Sequence, residues 1–461
     1  MDVFGSSGVR GIALVDLRPA DAMAVAQSAG TEFARESDRV AVGRDTRETG
    51  ELLVEAVSSG LASVGRGVDR LGVVPTPSLQ AYCEREGVPG LMVTASHNPP
   101  EYNGIKLCGS DGVELTRETL KRIERRLDTD PELAAWTDAG RITTVDGANR
   151  RYRGELLAAV DRERVADANL TVTLDPGHGA GALTSPEFFR QLGCRVVTVN
   201  AQPDGHFPGR RPEPVEDSLA DLGRLVRATG ADLGIAHDGD ADRAIFFDER
   251  GEFVEGDAAL AALVGVELDA GDTVVSAVNA SQRLVDVADA ADADLRLTPI
   301  GSTNIITTIR DLRAEGASIP VAGEGNGGII FPDYRIVRDG AYTAARFCEL
   351  IADRPTSDVV AEYDGYHNVR HNVAYDSDTQ RGAMLDAIER VASEADAPVD
   401  TTDGYRLNYD DAWVLARPSG TEPVIRVYAE ARDAGRASDL ADRLVGAIED
   451  AKQSVVSATH E

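Results

Sequence analysis

Three times along this chain, an apolar run rich in β-branched residues ends in a polar loop and gives way to a stretch with helical periodicity. The first cycle is the densest. RVAVGRD (39–45) reads as strand then loop, ELLVEAVSSGLASVG (51–65) as helix, VDRLGVVPTP (68–77) as strand then turn, and GLMVTASHN (90–98) as another strand entering a loop. The pattern restarts at LTVTLDPGHGAG (170–181), with a helix near 185–192 and the strand CRVVTVN (194–200). It restarts again at DTVVSAVNAS (272–281) and closes with IPVAGEGNGGIIF (319–331). Such alternation predicts α/β layers built on parallel strands. The last stretch differs. VRHNVAYDS, a helix near 379–394, YRLNYDDAWVLARPSG, EPVIRVYAEAR and a helix at 437–455 predict a smaller α+β domain. The expected domains are 1–150, 151–255, 256–365 and 366–461.

Charge narrows the partners. A formal net charge of −31 repels nucleic acid and anionic membrane, so neither is expected as a partner. It also repels a phosphorylated substrate unless cations are gathered locally. The acids are spread along the chain, and only three basic residues are lysine: Lys106, Lys121 and Lys452. That pairing of acidity with lysine scarcity reads as adaptation to high salt, where long-range repulsion is screened. Cys83, Cys108, Cys194 and Cys348 are far apart in sequence with no CxxC, so neither a zinc site nor a disulfide framework is expected. No window of roughly 18 apolar residues occurs, and the opening residues lack the pattern of a secretory signal. A cytoplasmic protein is the expectation.

Four loops carry chemistry. TASHNPPEYNGIK (94–106) sets Ser96, His97 and Asn98 at the end of a strand, where α/β proteins place ligands. A capped polar turn is the plainer reading. A Ser-His hydrolase lacks the GxSxG elbow, and adjacent side chains rarely face each other. In HDGDADR (237–243), Asp238, Asp240 and Asp242 alternate between apolar flanks; in an extended loop they share one side. Crowded carboxylates need a cation, and Mg²⁺ is favoured over an EF-hand because Arg243 stands where that loop needs glycine. RPSGTEP (417–423) offers the Arg417 fork with Ser419, Gly420 and Thr421 as a phosphate cradle, or simply a hairpin turn. GEGNGG (323–328) matches GxGxxG, but IIFPD rather than a helix follows, so a dinucleotide site is rejected. Glu324 and Asn326 there suit sugar hydroxyls. No Walker A motif occurs.

These loops, in this order, resemble those of the α-D-phosphohexomutase family. FGSSGVRG (4–11), VGRDTR (42–47), PDGHFPGRRPEP (203–214) and IVRDGAYTAA (336–345) strengthen the resemblance, which covers nearly the whole chain. It implies three related α/β domains and a smaller fourth around a central cleft. It further implies that Ser96 carries a phosphoryl group and that Asp238, Asp240 and Asp242 hold Mg²⁺ together with it. Arg243 lies beside the phosphoserine by the same resemblance. Arg417, Ser419, Gly420 and Thr421 grip the substrate's other phosphate, and Glu324 and Asn326 read the sugar. Lys106 matches the family's candidate acid or base, supported by Arg10 and His97; neighbouring cations are expected to lower its pKa. The implied reaction moves phosphate between the 6- and 1-positions of a phosphorylated hexose through a hexose bisphosphate. Glucosamine 6-phosphate is the favoured substrate. A phosphomannomutase/phosphoglucomutase is the alternative, and a metal-dependent sugar phosphatase is the rival from another class. A homodimer is compatible with this reading. Bacterial relatives often carry histidine where this chain has Gly328.

Overall fold

The computed structural model describes residue 4, residues 8–419 and residues 422–459, the last four by backbone alone. Four sheets follow one another along the chain. The first has six strands in the order Val9–Ile12, Tyr102–Cys108, Gly90–Val93, Arg39–Arg44, Gly67–Val73, Ile142–Thr144. Its last four strands run parallel, while Tyr102–Cys108 and Val9–Ile12 are antiparallel additions. The segment after Val73 was expected to be a turn. A helix, Thr76–Glu86, starts there instead, because Pro77 falls in its first turn, where the missing N–H costs nothing.

The second and third sheets share one design. Arg195–Thr198, Thr171–Asp175 and Leu233–Ala236 are parallel, and Ile245–Phe247 turns back antiparallel. Asp294–Thr298, Thr273–Ala277 and Ala322–Glu324 are likewise parallel, and Gly328–Phe331 turns back. The reversal matters for function. The hairpin loops 237–244 and 325–327 stand at the carboxyl ends of central strands, where a parallel sheet presents its loops. These two units share one core. Phe246 stacks on Phe347 at 4.2 Å, and each ring fully buried contributes about 1.5–3 kcal/mol.

The fourth sheet is wholly antiparallel, in the order His367–Ala374, Val424–Ala431, Ala412–Pro418, Tyr405–Asn408, Val399–Asp400. Two helices, Asp378–Ser393 and Ala434–Thr459, cover it. A buried polar joint ties it to the third unit. Arg406 donates to the carbonyls of Val278 (2.5 Å) and Ala280 (3.2 Å) and lies over Trp413. Glu430 accepts from Ser281 Oγ, the Gln282 amide and Trp413 Nε1. Both groups would cost several kcal/mol if buried unpaired, so the joint holds the fourth unit in one orientation. All four cysteines are free thiols. Among the described residues, no helix is long and apolar enough to cross a membrane.

Candidate active site

The strand Gly90–Val93 is buried throughout and delivers the serine loop to the sheet edge. Thr94 Oγ1 accepts from the Ser96 amide (2.8 Å) and donates to Asp45 Oδ2 (2.6 Å). Ser96 itself sits at φ 51°, left-handed backbone that a serine adopts only at a cost of about 1–3 kcal/mol. Arg47 supplies the compensation. Its guanidinium donates to the carbonyls of Ser96 (2.9 Å), Asn98 (2.7 Å), Pro99 (2.6 Å) and Tyr102 (2.9 Å), and its Nε to Asp45 (3.1 Å). Only a planar fork with five donors can hold four carbonyls and a carboxylate at once. Phe207, from the PDGHFPG stretch, packs its ring against that guanidinium at 5.3 Å. Burial pushes the Asp45 carboxyl up, with Arg47 and Thr94 opposing. Arg47→Met would leave that carboxylate uncompensated, so we expect a loss of about 3–5 kcal/mol. Thermal unfolding should show the loss as a lowered midpoint, and a midpoint equal to the wild type would refute the assignment.

The aspartate loop leaves the buried strand Leu233–Ala236. It is not the extended loop the sequence suggested. It turns sharply, with Ala241 at φ 55°, and is closed by His237 Nδ1 donating to the Arg243 carbonyl (2.8 Å). The three carboxylates converge nonetheless, with ligand oxygens all within 4.8 Å of one another and every aspartate buried. Gly239 permits the approach of the serine loop, because a Cβ there would lie 2.6 Å from the Ser96 carbonyl oxygen. Burial holds the His237 imidazole down to about 4, so it is neutral.

The two loops meet through their side chains, Ser96 against Asp238 and His97 against Arg243. Ser96 Oγ donates to Asp238 Oδ2 at 2.6 Å. Lys106 Nζ, on the adjacent strand, lies 2.6 Å from Asp240 Oδ2 and 2.8 Å from Asp242 Oδ2. Thr76 Oγ1 donates to Asp240 Oδ2 (2.5 Å) and Arg338 to Asp242 Oδ2 (2.6 Å). Burial, with the charges of Asp242 and Asp240, pushes the Asp238 carboxyl well above the usual range. Burial also opposes ionisation of Asp240 and Asp242. Lys106, and for Asp242 also Arg338 and Arg243, overcomes it and holds both below that range.

Lys106 departs from expectation. Burial, Arg338 and Arg10 do lower its pKa, but the contacting carboxylates of Asp240 and Asp242 outweigh them and raise it. It is therefore an ammonium with a firmly held proton. His97 Nδ1 faces Arg243 Nη2 at 3.1 Å and Ser96 Oγ at 3.4 Å. Burial and then Arg243 and Arg10 hold the imidazole well below its usual pKa, so Nδ1 is an acceptor for the guanidinium and not a base for Ser96. Arg10 is fixed by donation to Asn98 Oδ1 (3.0 Å).

The residues present fit a hard cation. Asp240 Oδ1 and Asp242 Oδ1 are buried with no hydrogen-bond donor among the described residues, a state that costs about 1–3 kcal/mol per oxygen without a partner. Anionic oxygens converging in this way are Mg²⁺ ligands by type.

The glycine-glutamate loop stands next to this cluster. Ala244 N donates to the Gly327 carbonyl, Gly328 N to Asn326 Oδ1, and Asn326 Nδ2 faces Glu324 Oε2 at 3.4 Å. A cavity of about 490 Å³ opens here, lined by Arg243, Asp257, Gly325, Asn326, Asn368 and Arg370 among others. The fourth unit thus reaches the cavity wall through Asn368 and Arg370, which the sequence did not single out. Arg417 lies outside that wall and pairs with Asp403 (3.0 Å). The Ser419 amide donates to the Val424 carbonyl, and Gly420 and Thr421 lie outside the described residues. Arg47, Thr76 and Arg338 were also missed as site residues. VGRDTR and IVRDG were conspicuous, but their partners lie far off in sequence.

Residues 1–134, 150–251 and 255–366 match, in order, the phosphoglucomutase/phosphomannomutase alpha/beta/alpha domains I, II and III. Residues 372–447 match the C-terminal domain of the same family. A phosphoglucomutase/phosphomannomutase of Thermococcus kodakarensis is 38% identical over 97% of this chain and 99% of its own. A probable phosphoglucosamine mutase of Methanopyrus kandleri is 40% identical over 96% of this chain and 97% of its own. Among solved structures, a phosphoglucomutase/phosphomannomutase family protein of Burkholderia thailandensis superposes with a TM-score of 0.85 at 26% identity, covering 98% of each chain.

Proposed function

The chain belongs to the phosphoglucomutase/phosphomannomutase family, and from that premise we propose that it interconverts hexose 6-phosphates and 1-phosphates by way of a phosphorylated Ser96. The observation that carries this reading is the junction of the serine and aspartate loops: Ser96 Oγ bonded to Asp238 at 2.6 Å, beside two buried carboxylate oxygens without donors. Asp238, Asp240 and Asp242 would hold Mg²⁺ with an oxygen of the phosphoserine. When bound, that ion neutralises charge building on the transferring phosphoryl group.

The chain's own residues account for the rest. The free hydroxyl of the sugar phosphate bonds to phosphorus as the Ser96 Oγ–P bond breaks. Arg243, held over His97, stands beside the transferring group. The resulting bisphosphate turns round within the cleft and returns its other phosphoryl group to Ser96. Each transfer releases one proton from the attacking hydroxyl and needs one at the departing oxygen, so a single carrier that serves both oxygens inside a closed cleft suffices. Lys106 is assigned that role as an acid: its ammonium, held at Asp240 and Asp242, gives a proton to the departing oxygen and takes back the one released by the attacking hydroxyl. Glu324 and Asn326 are assigned to sugar hydroxyls, and Arg417, Ser419, Gly420 and Thr421 to the phosphate that is not being transferred.

Glucosamine 6-phosphate is the proposed substrate. The cavity wall bears the carboxylates of Glu213, Glu216, Glu255 and Asp257 against the two arginines Arg243 and Arg370, and an ammonium on the sugar suits that acidic excess. The names of several relatives support the same choice. Isomerisation should be assayed with glucosamine, glucose and mannose 6-phosphates, in high salt with Mg²⁺. We expect the amino sugar to be favoured by about tenfold or more in kcat/KM. Equal rates would remove the amino-sugar assignment, and release of inorganic phosphate without isomerisation would replace the mutase with a phosphatase.

A further inference from the structure

Gly328 closes the sugar loop in a backbone conformation that any residue could adopt, since its φ lies outside the left-handed region. Space, not conformation, calls for glycine. A Cβ at this position would lie 2.8 Å from Cδ of Arg338 and 3.0 Å from Asn326 Oδ1. The Arg338 chain passes through the volume that a side chain at 328 would fill. Arg338 is 6% exposed, and its head reaches Asp242 Oδ2 at 2.6 Å and stands 3.7 Å from Glu114 Oε1. Glu114 in turn accepts from Ser302 Oγ. One side chain of the third unit therefore touches carboxylates of both the second and the first.

The contacts on the carboxylates are asymmetric. Asp242 Oδ2 receives Arg338 and Lys106, and Asp242 Oδ1 receives no donor among the described residues. Asp240 follows the same rule, with Thr76 and Lys106 on Oδ2 and nothing on Oδ1. Two donors on one oxygen fix the plane of the carboxylate and leave the other oxygen for a cation.

We propose that Arg338 is a positioning residue, which turns Asp242 so that Oδ1 is presented to the cation, and that Gly328 is the gap that lets Arg338 through. This rests on the Mg²⁺ reading above. Arg338 also adds positive charge, which repels any divalent cation alike, so affinity alone does not isolate its orienting role. Selectivity does. Mg²⁺ demands near-ideal octahedral ligands, whereas Ca²⁺ tolerates irregular ones.

Calorimetry of unphosphorylated enzyme should therefore measure Mg²⁺ and Ca²⁺ affinities for the wild type, Arg338→Met, Gly328→Ala and the double variant. Both single variants should shift the Mg²⁺/Ca²⁺ affinity ratio towards Ca²⁺ by about tenfold. The double variant should match Arg338→Met, because the gap has no purpose once the arginine is gone. An unchanged ratio in both single variants would overturn the inference, even if both affinities moved. A shift in Arg338→Met without one in Gly328→Ala would overturn the role given to the gap. Failure of the wild type to bind either cation would overturn the metal reading itself.

Discussion

Ser96→Ala is expected to lower kcat by about 10⁴-fold or more, to the assay background, while the protein still folds and binds hexose phosphate. The size of the effect follows from the geometry. Ser96 is 1% exposed and its Oγ is aimed at Asp238, so alanine removes the hydroxyl that this buried junction presents. The loop does not depend on that oxygen. Arg47 holds it through backbone carbonyls, and Thr94 holds the Ser96 amide, contacts that alanine keeps. The sugar phosphate should bind with a dissociation constant within about threefold of the wild type, because the assigned binding groups lie elsewhere. Turnover above about 1% of the wild type would show that phosphate reaches the second position without a serine carrier.

Lys106→Arg is expected to lower kcat by about 10²–10³-fold although the charge is kept. The ammonium fits between Asp240 and Asp242 at 2.6 and 2.8 Å in a site where the lysine is only 5% exposed. A guanidinium is wider, and it does not release a proton in the range where proteins work. Charge neutralisation of the two aspartates would survive, and proton transfer would not. The loss should therefore appear in kcat, with KM changed by less than about threefold. A rate near that of the wild type would make Lys106 a structural counter-ion and leave the proton carrier to be found among other residues.

The strand ends were legible because the relevant chemistry is local. A buried run followed by TASHN, HDGDADR or GEGNGG announces a loop at a sheet edge, and its residue types indicate anions, cations or hydroxyls. Ser96, the three aspartates and Lys106 lie together in the folded chain. The shape of the aspartate loop was not legible. Alternation implied an extended strand, whereas the chain turns at a left-handed Ala241 and reaches the same convergence by another path. Supporting residues were hidden for a different reason. Thr76 meets Asp240 across 164 positions and Arg338 meets Asp242 across 96, and no local pattern records such a pairing. The environment of Lys106 was misjudged on the same grounds. Sequence placed it among cations of the site, and only folding shows that carboxylates take its contacts. In the fourth unit, the strand carrying Arg417 was readable, but the residues lining the cavity there, Asn368 and Arg370, come from the edge strand His367–Ala374, two places away in the sheet.

The central claim is that Ser96 carries the phosphoryl group. Peptide mass spectrometry after incubation with a hexose 1,6-bisphosphate and Mg²⁺ tests it directly. One phosphate, on the peptide containing Ser96 and absent from the Ser96→Ala protein, is the result this account predicts. Phosphate confined to any other residue, or none on a protein that still isomerises hexose phosphates, would contradict it.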